Sequence, residues 1–218
     1  MAITKQYIMR KSIFIVCLLL LSFTAIGKET KWTSHFAYNN VTQIAVAPDR
    51  VYAISDGSLF SVEKQSEKIQ TYDRQSGLHG TGIACISYDS ISEILMIAYS
   101  NGQIDVLSAH GVQYVGGLYD KDMVQQKTIY NVTFHNRTAY LATHFGIQTF
   151  DLRENKLVDS YWLRPNGQET PISDIRIIGD SIYAFGGNYD KINKVLKNDS
   201  LYSAALTDNI VDYRFWKR

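Results

Sequence analysis

One apolar strand signal recurs four times along this chain, and it constrains the fold more than any other feature. In each copy two apolar residues occupy positions i and i+2, the period of a strand with one buried face. The four pairs are Ile44 and Val46, Ile86 and Tyr88, Val132 and Phe134, and Ile175 and Ile177. Their spacing of roughly 40 to 50 residues is typical of repeated four-stranded units, so we predict an array of similar sheets.

Each copy continues with signals of further strands. A polar turn comes next, and the second strand then places a large residue beside an alanine, which suits a wedge-shaped sheet. These pairs are Tyr52 with Ala53, Met96 with Ala98, Tyr140 with Ala142, and Tyr183 with Ala184. Gly57, Gly102 and Gly146 lead into a third strand, because glycine adopts positive φ at no steric cost; fourth strands are fainter. The sequence therefore predicts an all-β fold, a β-propeller of about four blades of four-stranded antiparallel sheet, with blades over approximately 41–82, 83–128, 129–171 and 172–218.

The fourth unit departs from this pattern. It carries a polar stretch, Asn188–Ser200, before its third strand, and we predict a surface loop there. The last segment, VDYRFWKR, is expected to supply the final strand of this blade or to break off within it. An open arc of four blades leaves unpaired edges and apolar faces. We therefore expect residues 28–218 to form a partial ring that needs further blades from a longer chain or from a second chain.

The first segment has the pattern of an export signal. Basic residues precede an apolar run from Ile13 to Phe23, and small residues follow up to Gly27. This predicts a signal peptide over 1–27, with an uncleaved membrane anchor as the alternative. The protein is thus expected to be exported, and no transmembrane segment is expected once the signal is cleaved.

Charge and cysteine content narrow the function classes. Lys plus Arg number 22 against 21 Asp plus Glu, so no basic surface for nucleic acid is predicted. Cys17 lies inside the apolar run instead of after it, and lipid attachment there is not expected. Cleavage leaves only Cys85, which excludes an intramolecular disulfide, and its apolar neighbours predict a buried, unreactive thiol.

The sequence predicts no catalytic, cofactor or metal site. The histidines are spread over separate units without a metal-ligand spacing, so each is interpreted as a solvated or hydrogen-bonded loop residue. They are His35, His79, His110, His135 and His144. Several aspartates fall in or near hairpin turns, where this residue caps nearby backbone, and calcium would require more converging oxygens. They are Asp49, Asp56, Asp89 and Asp180.

The sequence also resembles a known group of repeat proteins. The segment 72–107 is similar to the two-component-regulator propeller repeat, in which Gly-Leu closes one blade and Asn-Gly ends an aliphatic run. The matching residues are Gly77, Leu78, Ile83, Ile86, Asp89, Ile97, Ala98, Asn101 and Gly102. The stretch 32–80 more particularly resembles the amino-terminal propeller of PorZ-like proteins, which are cell-surface components associated with the type IX secretion system of Bacteroidota.

This resemblance, which covers about residues 28–190, implies a noncatalytic binding or assembly module in secreted-protein sorting or attachment. Surface polysaccharide or secretion-system proteins are the implied partners, and the implied location is the periplasm or the cell surface, associated with the outer membrane. In the family a signal peptide leads into two propellers and a sorting domain, whereas this chain is expected to hold about four blades. The alternatives are a periplasmic sugar-sensing propeller of a hybrid two-component regulator and a glycan-cleaving propeller.

Two weaker patterns stay open at this point. Asp-Ser followed by an aliphatic residue resembles the O-glycosylation signal of exported Bacteroidota proteins, while plain turn chemistry is the simpler interpretation. It occurs at Asp89-Ser90-Ile91, Asp180-Ser181-Ile182 and Asp199-Ser200-Leu201. Several aromatic residues could stack on sugar rings, although packing between blades is expected for most of them. They are Trp32, Tyr38, Tyr119, Tyr161, Trp162 and Trp216.

Overall fold

The computed structural model describes residues 38–190, 193 and 195–218. The predicted signal peptide, with Cys17, lies outside the described residues, as do Trp32 and His35. The regular secondary structure of the described residues is almost entirely β-strand, with short 3-10 helices at Pro165–Gly167 and Tyr213–Phe215. The predicted all-β class is confirmed.

The strands form four antiparallel sheets in which consecutive strands are neighbours. The first blade contains β1 (Val41–Val46), β2 (Arg50–Ser55), β3 (Ser58–Glu63) and β4 (Ile69–Tyr72). The second contains β5 (Ile83–Asp89), β6 (Ile94–Tyr99), β7 (Ile104–Ser108) and β8 (Gly111–Tyr114). The third contains β9 (Ile129–His135), β10 (Thr138–Thr143), β11 (Ile147–Asp151) and β12 (Lys156–Tyr161), and the fourth β13 (Ile172–Ile178), β14 (Ser181–Asp190) and β15 (Val195–Ala205). The first strands of the blades, β1, β5, β9 and β13, pack side by side in that order. This is the arrangement of a partial β-propeller, as the repeat predicts.

The hairpin turns use residues with positive φ, as two-residue hairpins require. Asp56 and Gly57 have φ of 48° and 73°, and Asn136 and Arg137 have φ of 48° and 61°. At Gly102 a larger residue would also clash with the backbone, because a Cβ there would lie 2.7 Å from the carbonyl oxygen of Lys127. The polar turn predicted after the first strand of each unit, which in the third unit is His135-Asn136-Arg137, and the predicted glycine turns are therefore confirmed.

Three buried apolar clusters lie between successive blades and form the core. The first cluster includes Ile54, Leu59, Ile86, Ile97 and Tyr99. The second includes Met96, Ile104, Val132, Leu141 and Phe150. The third includes Tyr140, Ile147, Ile175, Ile182 and Tyr202. Each blade is stabilised by burying its faces against its neighbours, since a lone sheet has no second layer to cover it.

The first residue of each predicted strand pair faces the preceding blade. Ile86, Val132 and Ile175 are 1%, 3% and 0% exposed, whereas Ile44 is 58% exposed. The prediction that Ile44 is buried is therefore wrong, because no sheet precedes the first blade among the described residues. Ala45, on the opposite side of β1, is buried against the second blade.

The polar stretch predicted as a loop is instead an extension of the β14–β15 hairpin. Backbone pairing continues outward through Asn188 and Lys197. The Asn188 side chain donates to Asp199 Oδ2 at 3.1 Å, and the ring of Tyr189 packs edge-on against His144 with 4.8 Å between centroids. The loop prediction is wrong because polar side chains can bond one another across a hairpin and so need not mark irregular backbone.

The last segment supplies only one paired residue of a fourth strand. Lys217 pairs with Ser203 through two backbone hydrogen bonds of 2.8 Å. Trp216 is 8% exposed, and its indole Nε1 donates to the carbonyl of Ile210 at 2.9 Å. The segment is thus held mainly by the Trp216 side chain, and the predicted strand is present only as this bridge.

We predict that Gly102→Ala destabilises the protein more than Gly179→Ala. Both glycines have positive φ, which costs an alanine about 1 kcal/mol. Only at Gly102 would the added methyl group meet backbone, whereas nothing lies within 4 Å of a Cβ at Gly179. We expect a loss of unfolding free energy of about 3 kcal/mol for Gly102→Ala, measured by urea denaturation. Equal losses for the two variants would contradict the close approach.

We also predict that stability falls at alkaline pH. Burial raises the pKa of Tyr52 and of Tyr161 to about 12, and burial with a hydrogen bond to Asp105 raises the pKa of Tyr99. An unfolded tyrosine titrates near pH ~10. Since the tyrosinate form favours the unfolded state, this stability is fully present below pH ~10 and is lost as pH rises through the folded pKa.

The measurement is the urea midpoint across this pH range together with the ultraviolet absorbance of tyrosinate. We expect a fraction of the tyrosines to titrate only as far-ultraviolet circular dichroism is lost. Titration of all tyrosines near pH ~10 with an intact dichroism spectrum would refute the buried environment.

Candidate functional site

The outer side of the first blade is an exposed apolar surface, which we call the leading face. It contains Ile44, Val46 and Ile69, which are 58%, 57% and 50% exposed. The strand register places Val46 and Ile69 in one row across the sheet. Tyr38 extends this surface, because its ring packs edge-on against Phe60 at 4.8 Å. In the other three blades the position of Ile44 is buried against the preceding sheet.

The outer side of the fourth blade is the corresponding surface at the other end, which we call the trailing face. Phe185 and Leu201 are cross-strand partners in β14 and β15, and they are 38% and 45% exposed. The equivalent partners in the third blade, Ala142 and Ile147, are 0% exposed because they pack on the fourth blade. Apolar side chains exposed in rows of this kind are typical of surfaces that bind another sheet or protein.

A buried carboxylate joins the second blade to the connection that precedes it. Asp105 is 0% exposed and accepts hydrogen bonds from the Tyr99 hydroxyl at 2.6 Å and from the backbone N–H of His79 at 2.8 Å. The Nδ1 atom of His79 lies 2.9 Å from the other carboxylate oxygen. Sequence reasoning missed Asp105, although a charged residue inside a strand of apolar neighbours is a usable signal. The contacts fix the connection between β4 and β5.

A second histidine lies within an aromatic cluster. His144 is 5% exposed, and its Nδ1 lies 2.8 Å from the hydroxyl of Tyr130. Tyr189 of the extended hairpin covers the ring. Burial, with a smaller effect of Tyr189, raises the pKa of Tyr130 to about 12. Each histidine is predicted to be either solvated or hydrogen-bonded, and His144 is the hydrogen-bonded kind, since it is buried and bonded to Tyr130.

Of the remaining described histidines, His110 lies in a turn and His135 is the last residue of β9. His110 is exposed, and the Nε2 atom of His135 lies 2.9 Å from the side-chain nitrogen of Asn136. Within residues 38–190, 193 and 195–218, no three His, Cys, Asp or Glu side chains come together as a metal-binding group.

The turn aspartates have different partners. Asp89 accepts the backbone N–H of Ser92 at 3.0 Å, which is the predicted capping. Asp49 instead accepts from Arg50 Nε at 2.9 Å, and this guanidinium lowers the pKa of Asp49. Asp56 accepts from the side chain of a neighbouring segment, Asn40 Nδ2, at 2.7 Å. Turn capping is thus confirmed for Asp89, whereas Asp49 and Asp56 accept hydrogen bonds from other side chains.

The Asp-Ser-aliphatic triplets do not share one environment. Asp89-Ser90-Ile91 lies at a turn with Ser90 exposed, and Asp180-Ser181-Ile182 runs from a turn into β14. Asp199-Ser200-Leu201 lies within β15, so the turn interpretation is wrong for that triplet. Glycosylation of any of these serines stays a prediction.

The aromatic residues divide between packing and exposure. Tyr161 and Trp216 are each 8% exposed and belong to the cluster between the third and fourth blades. The ring of Trp162 packs against the ring of Phe145, with 5.3 Å between the centroids. Tyr119 is 50% exposed and remains available for contact with a ligand or protein.

Cys85 has the buried environment that its neighbours predict. It is 1% exposed, and its Sγ lies 3.9 Å from the carbonyl oxygen of Ile129. Burial raises the pKa of the thiol to about 12. The unreactive thiol form therefore dominates at neutral pH.

Solved structures support a propeller of this kind. The chain is 27% identical to PorZ of Porphyromonas gingivalis, a bacterial surface component of the type IX secretion system, with a TM-score of 0.68. The match covers 85% of this chain and 23% of PorZ, so the chain spans about a quarter of that protein. The extracellular domain of a hybrid two-component system of B. thetaiotaomicron is 14% identical over 82% of this chain and 22% of its own, with a TM-score of 0.61. That identity shows a shared fold alone.

Two sequence comparisons and the helix content of the described residues complete the assignment. A comparison with curated proteins returned no significant match. None of the helices in the described part of the chain has the length and apolar character that a membrane crossing requires. The model of the type IX secretion PorZ N-terminal β-propeller domain matches residues 51–217. The chain therefore belongs to the family of PorZ amino-terminal β-propeller domains.

Proposed function

We propose that this chain is a noncatalytic, exported assembly module that acts with the type IX secretion machinery in sorting or attaching secreted proteins. Its place is the periplasm or the outer-membrane surface, as family membership and the predicted export signal suggest. The partners are secretion-system proteins or surface polysaccharide. In this proposal the leading and trailing faces are the surfaces that contact the partners.

The supporting observation is that residues equivalent to buried core positions are exposed at both ends of the arc. Ile44 corresponds to Ile86, which is 1% exposed, and Leu201 corresponds to Ile147, which is 0% exposed. Leaving such rows in water forfeits roughly 25 cal/mol per Å² of apolar area. A further sheet, from a longer chain or from a second chain, is the proposed occupant, because a neighbouring blade covers the equivalent positions inside the molecule.

We predict that Ile44→Asp and Phe185→Asp each weaken association with the partner machinery. Aspartate at a buried interface leaves an unpaired charge, so we expect at least a tenfold loss of association. The exported full-length chain would be purified from a Bacteroidota host by an affinity tag, and the amount of type IX outer-membrane components bound would be measured. Secretion of a type IX cargo protein in the same strains gives a second readout.

Val124→Asp is the matched control, because Val124 is 97% exposed in the loop before β9 and belongs to neither face. Circular dichroism melts establish that each variant folds, which is expected since Ile44 and Phe185 are not buried. Undiminished association and secretion by both face variants would reject the proposed assembly role.

A further inference from the structure

Three arginines converge on a cavity between the third and fourth blades. The cavity has a volume of about 430 Å³ and lies between the connection that follows β12, strand β15 and the last segment. Its charged and aromatic lining is Arg164, Tyr202, Tyr213, Arg214, Trp216 and Arg218. This set combines cationic hydrogen-bond donors with ring surfaces, and neither the repeat nor the family match assigns it a role.

Two of the arginines are held by neutral hydroxyl groups. Arg164 Nε donates to the Tyr202 hydroxyl at 3.0 Å, and Arg218 donates to Ser200 Oγ from Nε at 3.1 Å and from a terminal nitrogen at 2.7 Å. Neither guanidinium forms an ion pair with a carboxylate of the described residues. Their positive charges are therefore positioned but not neutralised by direct contact.

The third arginine is different. Arg214 pairs with Asp212, the residue just before the 3-10 helix, through Nε at 3.0 Å from one carboxylate oxygen and 2.9 Å from the other. Asp199, the other carboxylate close to this region, accepts from Ser200 and from Asn188. The Ser200 hydrogen bond is the main reason that the pKa of Asp199 is lowered, with smaller effects of Arg218 and Arg164. The charge available to a ligand therefore comes from Arg164 and Arg218.

The aromatic side of the cavity supplies apolar contact. Tyr213 is 39% exposed and Trp216 is 8% exposed, so part of the tyrosine ring faces the opening. Planar guanidinium groups bind carboxylate and phosphate oxygens through paired hydrogen bonds, and ring surfaces bind flat apolar groups. The two kinds of contact lie within one cavity large enough for a small organic molecule.

We propose that this cavity binds a small organic oxyanion, a carboxylate or phosphate group attached to a flat or ring-shaped body. Arg164 and Arg218 bind the anionic group, while Tyr213 and Trp216 contact the apolar part. None of the residues that line this cavity belongs to the leading or trailing face. The binding proposal can therefore succeed or fail separately from the proposed assembly role.

Binding of phenyl phosphate to the full-length chain tests the proposal. Line broadening in phosphorus NMR and the tryptophan fluorescence would be followed during titration, with benzoate, inorganic phosphate and phenol as parallel probes. We expect phenyl phosphate or benzoate to bind more tightly than inorganic phosphate and phenol, which each lack one of the two groups. The ranking of phenyl phosphate and benzoate shows which oxyanion the arginines prefer.

Arg164→Met and Arg218→Met should each weaken the preferred probe by at least about tenfold, since each removes charge-assisted hydrogen bonds. Arg74→Met is the control, because Arg74 is an exposed arginine of the first blade, far from the cavity along the chain. Arg218 is exposed, so the Arg218→Met variant stays informative if Arg164→Met fails to fold. No binding by the unmodified chain, or an affinity unchanged in Arg218→Met, would overturn the proposal, as would an equal loss in Arg74→Met.

Discussion

Contact between neighbouring sheets is the interaction on which this structure depends. A four-stranded antiparallel sheet has two faces and can cover neither by itself, so its stability comes from the sheets beside it. Here three apolar clusters join four blades, and residues such as Met96, Ile147 and Ile97 are fully buried only because another blade lies against them. Backbone hydrogen bonds set the shape of each blade, but the burial between blades decides that the blades are stacked.

The same rule explains the two ends of the arc. At a position that is buried in three blades, Ile44 is exposed, and Phe185 and Leu201 are exposed where their equivalents are covered. A repeat architecture therefore makes the two exposed end faces recognisable by comparing equivalent positions within one chain. The arginine-lined cavity has a different origin, because it lies where the connection after β12 meets the irregular last segment, outside the repeated pattern.

Much of the fold could be predicted because strand period and turn chemistry are local. The sequence predicted the four repeats, the hairpin turn around Asn136 and the buried Cys85. The failures concern positions whose state depends on distant residues. Asn188–Ser200 looks like a loop until Asn188 and Asp199 bond across the hairpin, and Asp105 gains its three contacts from residues of the preceding connection and from Tyr99. The arginines of the cavity are up to 54 positions apart in numbering, Arg164 to Arg218, so no local pattern indicated them.

The sequence by itself determined that this chain forms blades, where each blade's strands turn, and which side chains are apolar enough to build a core. These properties depend on residues within a few positions of one another, through strand alternation and the positive φ of turn residues. Only the tertiary structure decided which apolar rows are covered, which remain exposed at the two ends, and which guanidinium groups share a cavity. Burial and convergence depend on the packing of segments far apart in the chain, and that information is not contained in any single stretch of sequence.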